Sequence, residues 1–348
     1  MQLTSLLPRL LRGEHLDAPT ASSAVSAIMA GTAPEAAIAA FLTALAVRGE
    51  TEDELTGAAT ALRAHLTPVV HAHARVLDTC GTGGDGADTF NISTAAAFVC
   101  AAAGVAVGKH GNRSASSRVG SADVLEAAGV RLEVTPGEAG TLLDRLGFCF
   151  MFAPVHHGAM RHAAPVRRLL GGRTLFNLLG PLANPAGATH QLVGVPDPRR
   201  LAPMAHVLGR LGATRALVVC GAGGLDELSL HAPAEAALHD RAAGVVERLV
   251  ICPRELGLAP APLEALRGGD AAENARLMAA VLAGEAGPRA DVVALNAGVA
   301  LWVAEAAPTP RDGVARAQEV LASGAAGGLL ARYVRQSHHR SPVPGDPA

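Results

Sequence analysis

Residues 1–70 carry helical patterning punctuated by caps and stops, with no strand among them. Asp17-Ala-Pro-Thr20 supplies capping and turn chemistry ahead of a helix over Ala21–Ala30, and Gly31-Thr-Ala-Pro34 ends it and starts another over Glu35–Arg48. Gly49-Glu-Thr-Glu-Asp53 does the same before Glu54–Leu66, with Thr51 as N-cap and Glu54 three residues on, as in a capping box. From Arg75 the pattern changes. Arg75–Asp78 reads as a strand, Ser93–Ala103 as a helix, Val105–Gly108 as a strand, Ala122–Ala128 as a helix and Val130–Val134 as a strand. Strand patterning resumes at Arg215–Cys220 and Val245–Ile251. Such alternation signals a sheet with crossover helices.

Residues 161–189 interrupt it. They are basic and rich in Gly, Pro and Asn, and are expected to return to the helical domain as a hinge-bearing lid. The expected fold class is therefore α/β: a small all-helical domain (1–70, with 161–189 returning to it) beside a larger α/β domain (75–160 and 190–335). That domain would have a central, mostly parallel sheet flanked by helices. The end of the chain, 338–348, holds Pro342, Pro344 and Pro347 and is expected to be disordered.

A length of 348 residues suits two domains or one large α/β domain. Hydrophobic residues make up 49% but aromatics only 3%, so the core must be built from Ala, Val and Leu. A net charge of −2 leaves no global basic field for nucleic acid, so any positive charge that binds an anion must be local. The N-terminus does not resemble a signal peptide, and Ala95–Gly108 is too short to span a bilayer, which together predict a soluble, cytoplasmic protein with no membrane partner. Cys80, Cys100, Cys149, Cys220 and Cys252 are widely spaced without a C-x-x-C, so neither a disulfide framework nor a zinc site follows. Cys80 abuts a glycine loop, but the sequence assigns no base to activate it.

The chemistry concentrates in Asp78-Thr-Cys-Gly-Thr-Gly-Gly-Asp-Gly86, Thr89-Phe-Asn-Ile-Ser-Thr94 and Lys109-His-Gly-Asn-Arg113. Together these offer backbone N–H groups open to close approach, side-chain donors and a cation, as a polyphosphate requires. Gly81-x-Gly83-x-x-Gly86 matches the dinucleotide-binding spelling. Its context fails: Ala87–Asn91 do not open a helix, and the second strand ends in Lys109-His110 rather than an acidic residue. A phosphorylated ribose fits better, with Gly81, Gly83 and Gly84 facing a pyrophosphate and Ser93 or Thr94 capping a helix whose dipole favours the anion. Lys109, expected at the end of its strand, brings a cation to the same edge. Asp226 and Glu227 lie in a glycine-rich loop after a strand, where paired carboxylates can reach Mg²⁺ beside substrate phosphates. The arginines of 167–185 offer a fork for a carboxylated acceptor; the residues alone do not say which one serves.

These motifs carry a family resemblance, together with Gly120-Ser-Ala-Asp-Val-Leu-Glu126, Phe152-Ala-Pro-Val-His-His157, Arg173-Thr-Leu-Phe-Asn-Leu-Leu-Gly-Pro-Leu182 and Leu225-Asp-Glu-Leu-Ser229. In order, from about Leu6 to Tyr333, the chain resembles the anthranilate phosphoribosyltransferases. The resemblance implies transfer of phosphoribose from 5-phosphoribosyl 1-diphosphate to the amine of anthranilate in tryptophan biosynthesis. It also implies a site between the two domains and a homodimer joined through the helical one. By position it assigns the donor site to Gly81, Gly84, Asp85, Thr89, Asn91, Ile92, Ser93 and Thr94. That site continues through Lys109, His110, Gly111, Asn112, Arg113, Ser114, Ala115, Ser116 and Ser117, and includes Ser121. Ser93, Asp226 and Glu227 would hold two Mg²⁺ ions per site, and Gly81, Asn112 and Arg167 would contact anthranilate. Lys109, Asp226 and Glu227 would be catalytic. Gly158, Val119 and Ser22-Ser-Ala24 depart from the family's usual residues, which bears on the acceptor channel and a peripheral phosphate contact. The rivals are a pyrimidine nucleoside phosphorylase of the same fold and a non-catalytic relative that binds nucleic acid.

Overall fold

The computed structural model describes residues 2–114 and 118–339. A 3-10 turn, Leu3–Leu6, leads into α1 (Leu7–Leu11), α2 (Ala18–Met29), α3 (Glu35–Arg48) and α4 (Glu52–Ala64). Asp17 caps α2 by accepting from Thr20 N at 2.8 Å. The capping box of α4 is complete: Thr51 Oγ1 accepts from Glu54 N at 3.2 Å and Glu54 Oε2 accepts from Thr51 N at 2.9 Å. Glu54 is wholly buried, and its second oxygen accepts from Leu16 N at 2.9 Å and pairs with Arg48, so its charge is compensated. Val25, Ile28, Phe41, Leu42 and Leu55 fill the bundle between these helices.

The sheet has seven strands: β1 (Leu77–Gly81), β2 (Val107–Gly111), β3 (Phe148–Phe152), β4 (His190–Gly194), β5 (Arg215–Cys220), β6 (Ala234–Asp240) and β7 (Val245–Ile251). Their order is β3-β2-β1-β4-β5-β6-β7, parallel from β3 to β5 and antiparallel over β5-β6-β7. Helix α5 (Ile92–Ala102) crosses from β1 to β2, and α6 (Ser121–Ala127) and α7 (Pro136–Leu146) from β2 to β3. Between β3 and β4 run α8 (Ala153–His156), α9 (Ala164–Leu170) and α10 (Leu175–Leu179); α9 packs on α3, and α10 on α3 and α4. Helix α11 (Leu201–Arg210) joins β4 to β5, and α12 (Ala271–Leu282), α13 (Pro288–Val303), α14 (Pro310–Ala322) and α15 (Ala325–Ser337) follow β7.

Side-chain alternation along β5 divides two cores. Ala216, Val218 and Cys220 join α11 and the helical bundle, while Leu217 and Val219 join α5 and α13 on the other face. The bundle is thus seated on the sheet through α11, beside ion pairs Arg210–Asp53 (2.7 Å) and Arg200–Glu50 (2.6 Å).

The structure corrects several expectations. Strands β1 and β2 lie further along than Arg75–Asp78 and Val105–Gly108, so Lys109 falls inside a strand instead of at its end. Val130–Val134 is no strand: Val130, Leu132 and Val134 are buried, which explains the alternation, but they pack as a connecting segment. The strand expected there is β3, buried at every position and hence without alternation. Val245–Ile251 is an antiparallel edge strand, not a return of crossover units. Asn91 occupies the N-cap of α5, which places Ser93 and Thr94 in its first turn. His338 is fixed by a hydrogen bond between its Nε2 and Gly129 O at 2.9 Å; the rest of the expected disordered tail, from residue 340, lies outside the described residues.

Candidate active site

Parallel strands end at one edge of a sheet, and the chain reverses its direction of strand addition between β1 and β4. A crevice opens at such a point. Gly81 and Gly194 are register partners there, and both must lack a side chain. A Cβ on Gly81 would stand 2.3 Å from Asp226 Oδ2, and one on Gly194 would stand 1.6 Å from Asp226 O. The loop after β5 therefore folds across both strand ends. After β1, Gly83, Gly84 and Gly86 have φ of 66°, 85° and 68°, a left-handed path that brings backbone rather than side chains to the crevice.

A cavity of about 280 Å³ lies at this edge. It is lined by Gly81, Gly84, Asp85, Thr89, Asn91, Ser93 and Thr94 from the β1–α5 side. Lys109, His110, Gly111, Asn112, Arg113, Ser114 and Ser121 line the β2 side, and Asp226 and Glu227 come from the loop after β5. Among the described residues, two of those expected in the site, Ile92 and Arg167, are not in that lining. Ile92 is buried beneath it. Ala115, Ser116 and Ser117 lie outside the described residues. Arg167, on α9, stands with its guanidinium 5.6 Å from the Phe176 ring.

The carboxylates supply the site's electrostatics. Asp226 Oδ2 accepts from Gly83 N at 2.6 Å, and Glu227 Oε1 accepts from Ser93 N at 3.1 Å in the first turn of α5. Burial pushes the Asp226 carboxyl up, and neighbouring Asp85 adds to the shift; Glu227 is raised by burial and then by Asp226. Among the described residues none of Asp85, Asp226 and Glu227 has an ion-pair partner. Such a cluster fits a divalent cation. Among the described residues no group of three or more His, Cys, Asp or Glu could hold a metal ion by itself, so a cation here would take one or two carboxylates and fill its remaining positions from a ligand and water, as Mg²⁺ prefers.

Lys109 is almost wholly buried. Its Nζ donates to Thr79 O at 2.5 Å and to Ser93 Oγ at 3.4 Å, which aims the ammonium into the floor of the crevice. Asp78 braces that floor. Its carboxylate accepts from Asn184 Nδ2 at 2.7 Å and His110 N at 3.3 Å, while Asn184 also donates to Gly108 O at 2.8 Å. The His110 pKa is pushed down to about 3 by burial and then by His157, whose ring is 4.9 Å away, so His110 is neutral near pH 7. Burial likewise raises the Cys80 thiol well above its usual range, which removes it as a nucleophile.

Other assigned residues are already engaged. Arg113 pairs with Asp123 (3.0 Å) and Glu126 (2.7 Å), so its charge is largely compensated. Val119 meets Asn91 through its carbonyl, which accepts from Asn91 Nδ2 at 3.2 Å, so the departure at that position leaves this bond unaffected. Sequence reasoning missed Asn177 and Asn274, which line the cavity; Asn274 Nδ2 donates to Asn91 Oδ1 at 3.1 Å. No motif marks Asn274, because its approach depends on α12 packing beside α5.

The helical bundle domain of the glycosyl transferase family matches residues 4–66, and that family's a/b domain matches residues 73–327. An anthranilate phosphoribosyltransferase of Symbiobacterium thermophilum is 49% identical over 338 residues, covering 97% of this chain and 98% of the relative. The crystal structure of the Thermus thermophilus anthranilate phosphoribosyltransferase superposes with a TM-score of 0.90 at 49% identity, covering 97% of this chain and all of that one. The Saccharomyces cerevisiae enzyme in complex with PRPP and Mg superposes with a TM-score of 0.87 at 27% identity, covering 96% of this chain and 97% of that one. A further structure of the yeast enzyme holds 4-fluoroanthranilate, at a TM-score of 0.86 and 25% identity, with 96% of this chain and 97% of that one covered.

Proposed function

The chain belongs to the anthranilate phosphoribosyltransferase family, and from that premise and the donor set of the crevice we infer how its residues divide the reaction. Phosphoribose passes from 5-phosphoribosyl 1-diphosphate to the amine of anthranilate, giving N-(5-phosphoribosyl)anthranilate and diphosphate. The observation that carries this reading is the convergence, on one strand edge, of a left-handed glycine loop, a buried lysine and a pair of buried carboxylates.

The crevice treats the two ends of the donor differently. The N–H groups of Thr82, Gly83 and Ser93 are held by Gly194 O, Asp226 and Glu227, so the donor's phosphates are met by the N–H groups from Gly84 onward in the loop and by the N-terminal end of α5, whose dipole also favours an anion. Negative charge grows on the departing diphosphate as the ribose C1 gains oxocarbenium character. Lys109, itself buried, stabilises that charge from the floor of the crevice. Ser93, Asp226 and Glu227 would hold Mg²⁺, two ions in our reading, which supplies further positive charge to the diphosphate when bound. The acceptor amine attacks C1 from the opposite face. An aromatic amine sheds its proton readily after attack, so no residue need act as a general base, in keeping with His110, whose depressed pKa of about 3 makes it a weak base and whose Nδ1 is held by Gly180 O.

Acceptor recognition rests in our reading on Gly81, Asn112 and Arg167. Arg167→Ala is expected to raise the anthranilate KM by about 10- to 100-fold, the cost of a lost charge-assisted pair. The donor KM should move much less. Initial rates with each substrate varied in turn check this, with Arg168→Ala as control; an unchanged anthranilate KM, or an equal rise for both substrates, removes Arg167 from the acceptor site.

The homodimer is proposed to form through the helical domain, where Leu11, Val47 and Leu169 are exposed on α1, α3 and α9, with α3 packed against both of the others. No helix among the described residues is long and apolar enough to cross a membrane. Five free cysteines suit a reducing compartment, which supports the cytoplasm as its location. The activity test is diphosphate release that depends on both substrates and on Mg²⁺, with the adduct identified by mass. Phosphorolysis of a pyrimidine nucleoside under the same conditions, without that release, would instead support the phosphorylase.

A further inference from the structure

A loop that holds a polyanion must present its N–H groups and turn its carbonyls away. Two carbonyls of the glycine loop are taken up by a single side chain from outside the cavity lining. Arg173 Nη1 donates to Gly83 O at 2.6 Å, and its Nη2 donates to Thr82 O at 3.2 Å. The guanidinium also lies against the bare Cα of Gly84, where a Cβ would stand 1.7 Å from Nη1. Asp226 Oδ2 takes the Gly83 N–H, so both polar groups of that residue are fixed. Arg173 belongs to the link between α9 and α10, helices that pack on α3 and α4 and carry Arg167 and Asn177.

We propose that Arg173 is a positioning residue for the donor: it ties the Thr82 and Gly83 carbonyls out of the crevice and so couples the α9–α10 link to the glycine loop. The inference deepens the reading of the site given above and rests on it. Arginine suits the task because its planar fork meets two carbonyls at once, whereas lysine offers a single point of charge. The side chain is exposed, so its loss should leave the fold intact.

Two measurements on Arg173→Ala and Arg173→Lys test it. In the ligand-free chain, amide hydrogen exchange over residues 82–88 is expected to quicken on the order of 10-fold in the alanine variant. Lysine should restore part of the protection. In steady-state kinetics the donor KM is expected to rise about 10-fold in the alanine variant, by loss of those charged hydrogen bonds, while the anthranilate KM stays within a few-fold. Unchanged exchange overturns the proposal whatever the kinetics. Faster exchange with an unchanged donor KM, or an equal rise in both KM values that lysine does not relieve, also overturns it. The exchange measurement needs no turnover, so failure of the assigned reaction in the unmodified protein is seen separately from failure of the Arg173 tie.

Discussion

Turnover at millimolar Mg²⁺ is expected to fall by about 10³-fold or more when Asp226→Asn and Glu227→Gln are combined, while the protein folds as before. Both new side chains keep an oxygen for the Gly83 and Ser93 N–H groups that the carboxylates now hold, so the loop retains its anchors. The charge is what is lost, and charge is what a hard cation needs. The sign of the stability effect follows from the same geometry. Burial, with Asp85 beside Asp226 and Asp226 beside Glu227, raises both carboxyl pKa values above their ordinary range. The metal-free folded chain thus binds more protons than the unfolded one above the ordinary carboxyl pKa, and these groups lower stability as pH rises through their raised values. In chelator, the Tm of the unmodified protein should therefore decline between pH 5 and 8 by more than that of the double variant. Near-native turnover in the double variant would refute the metal assignment; a pH profile of Tm unchanged by the substitutions would refute the electrostatic account.

Lys109→Ala is expected to cost on the order of 10²-fold or more in kcat/KM, comparable to losing other groups aimed at developing charge. The ammonium is buried and is directed by Thr79 O and Ser93 Oγ, so it is preorganised for an anion in the crevice. Because the stem is also packed, alanine leaves a void, and Lys109→Met serves as the comparison that keeps volume while removing charge. Both variants should lose activity alike, with Lys109→Met the more stable. A methionine variant that retains activity within a few-fold would return Lys109 to a packing role.

Some of this was legible in the chain and some was not, for definite reasons. The helical domain announces itself through caps: Asp17 and Thr51 make the bonds their positions imply. The donor loop is legible because glycine takes the left-handed path at 83, 84 and 86 without steric cost. Strands were harder. Phe148–Phe152 is buried on both faces and shows no alternation, whereas Val130–Val134 alternates in burial without any ladder partner. Side chains delivered by tertiary packing left no local trace, as with Asn274 on α12 and Arg173 reaching the glycine loop across 90 positions of sequence. The carboxylate pair was visible, but its burial and its hold on Gly83 N and Ser93 N depend on glycines at 81 and 194 that make room for it.

In our reading this crevice joins anthranilate to the phosphoribosyl group. The most direct measurement is the fluorescence of anthranilate after addition of 5-phosphoribosyl 1-diphosphate and Mg²⁺ to the purified protein. A continuous loss of fluorescence is expected that requires donor, Mg²⁺ and protein together and stops on chelation. Fluorescence that stays constant with all three present, in protein that is folded and binds the donor, would contradict it.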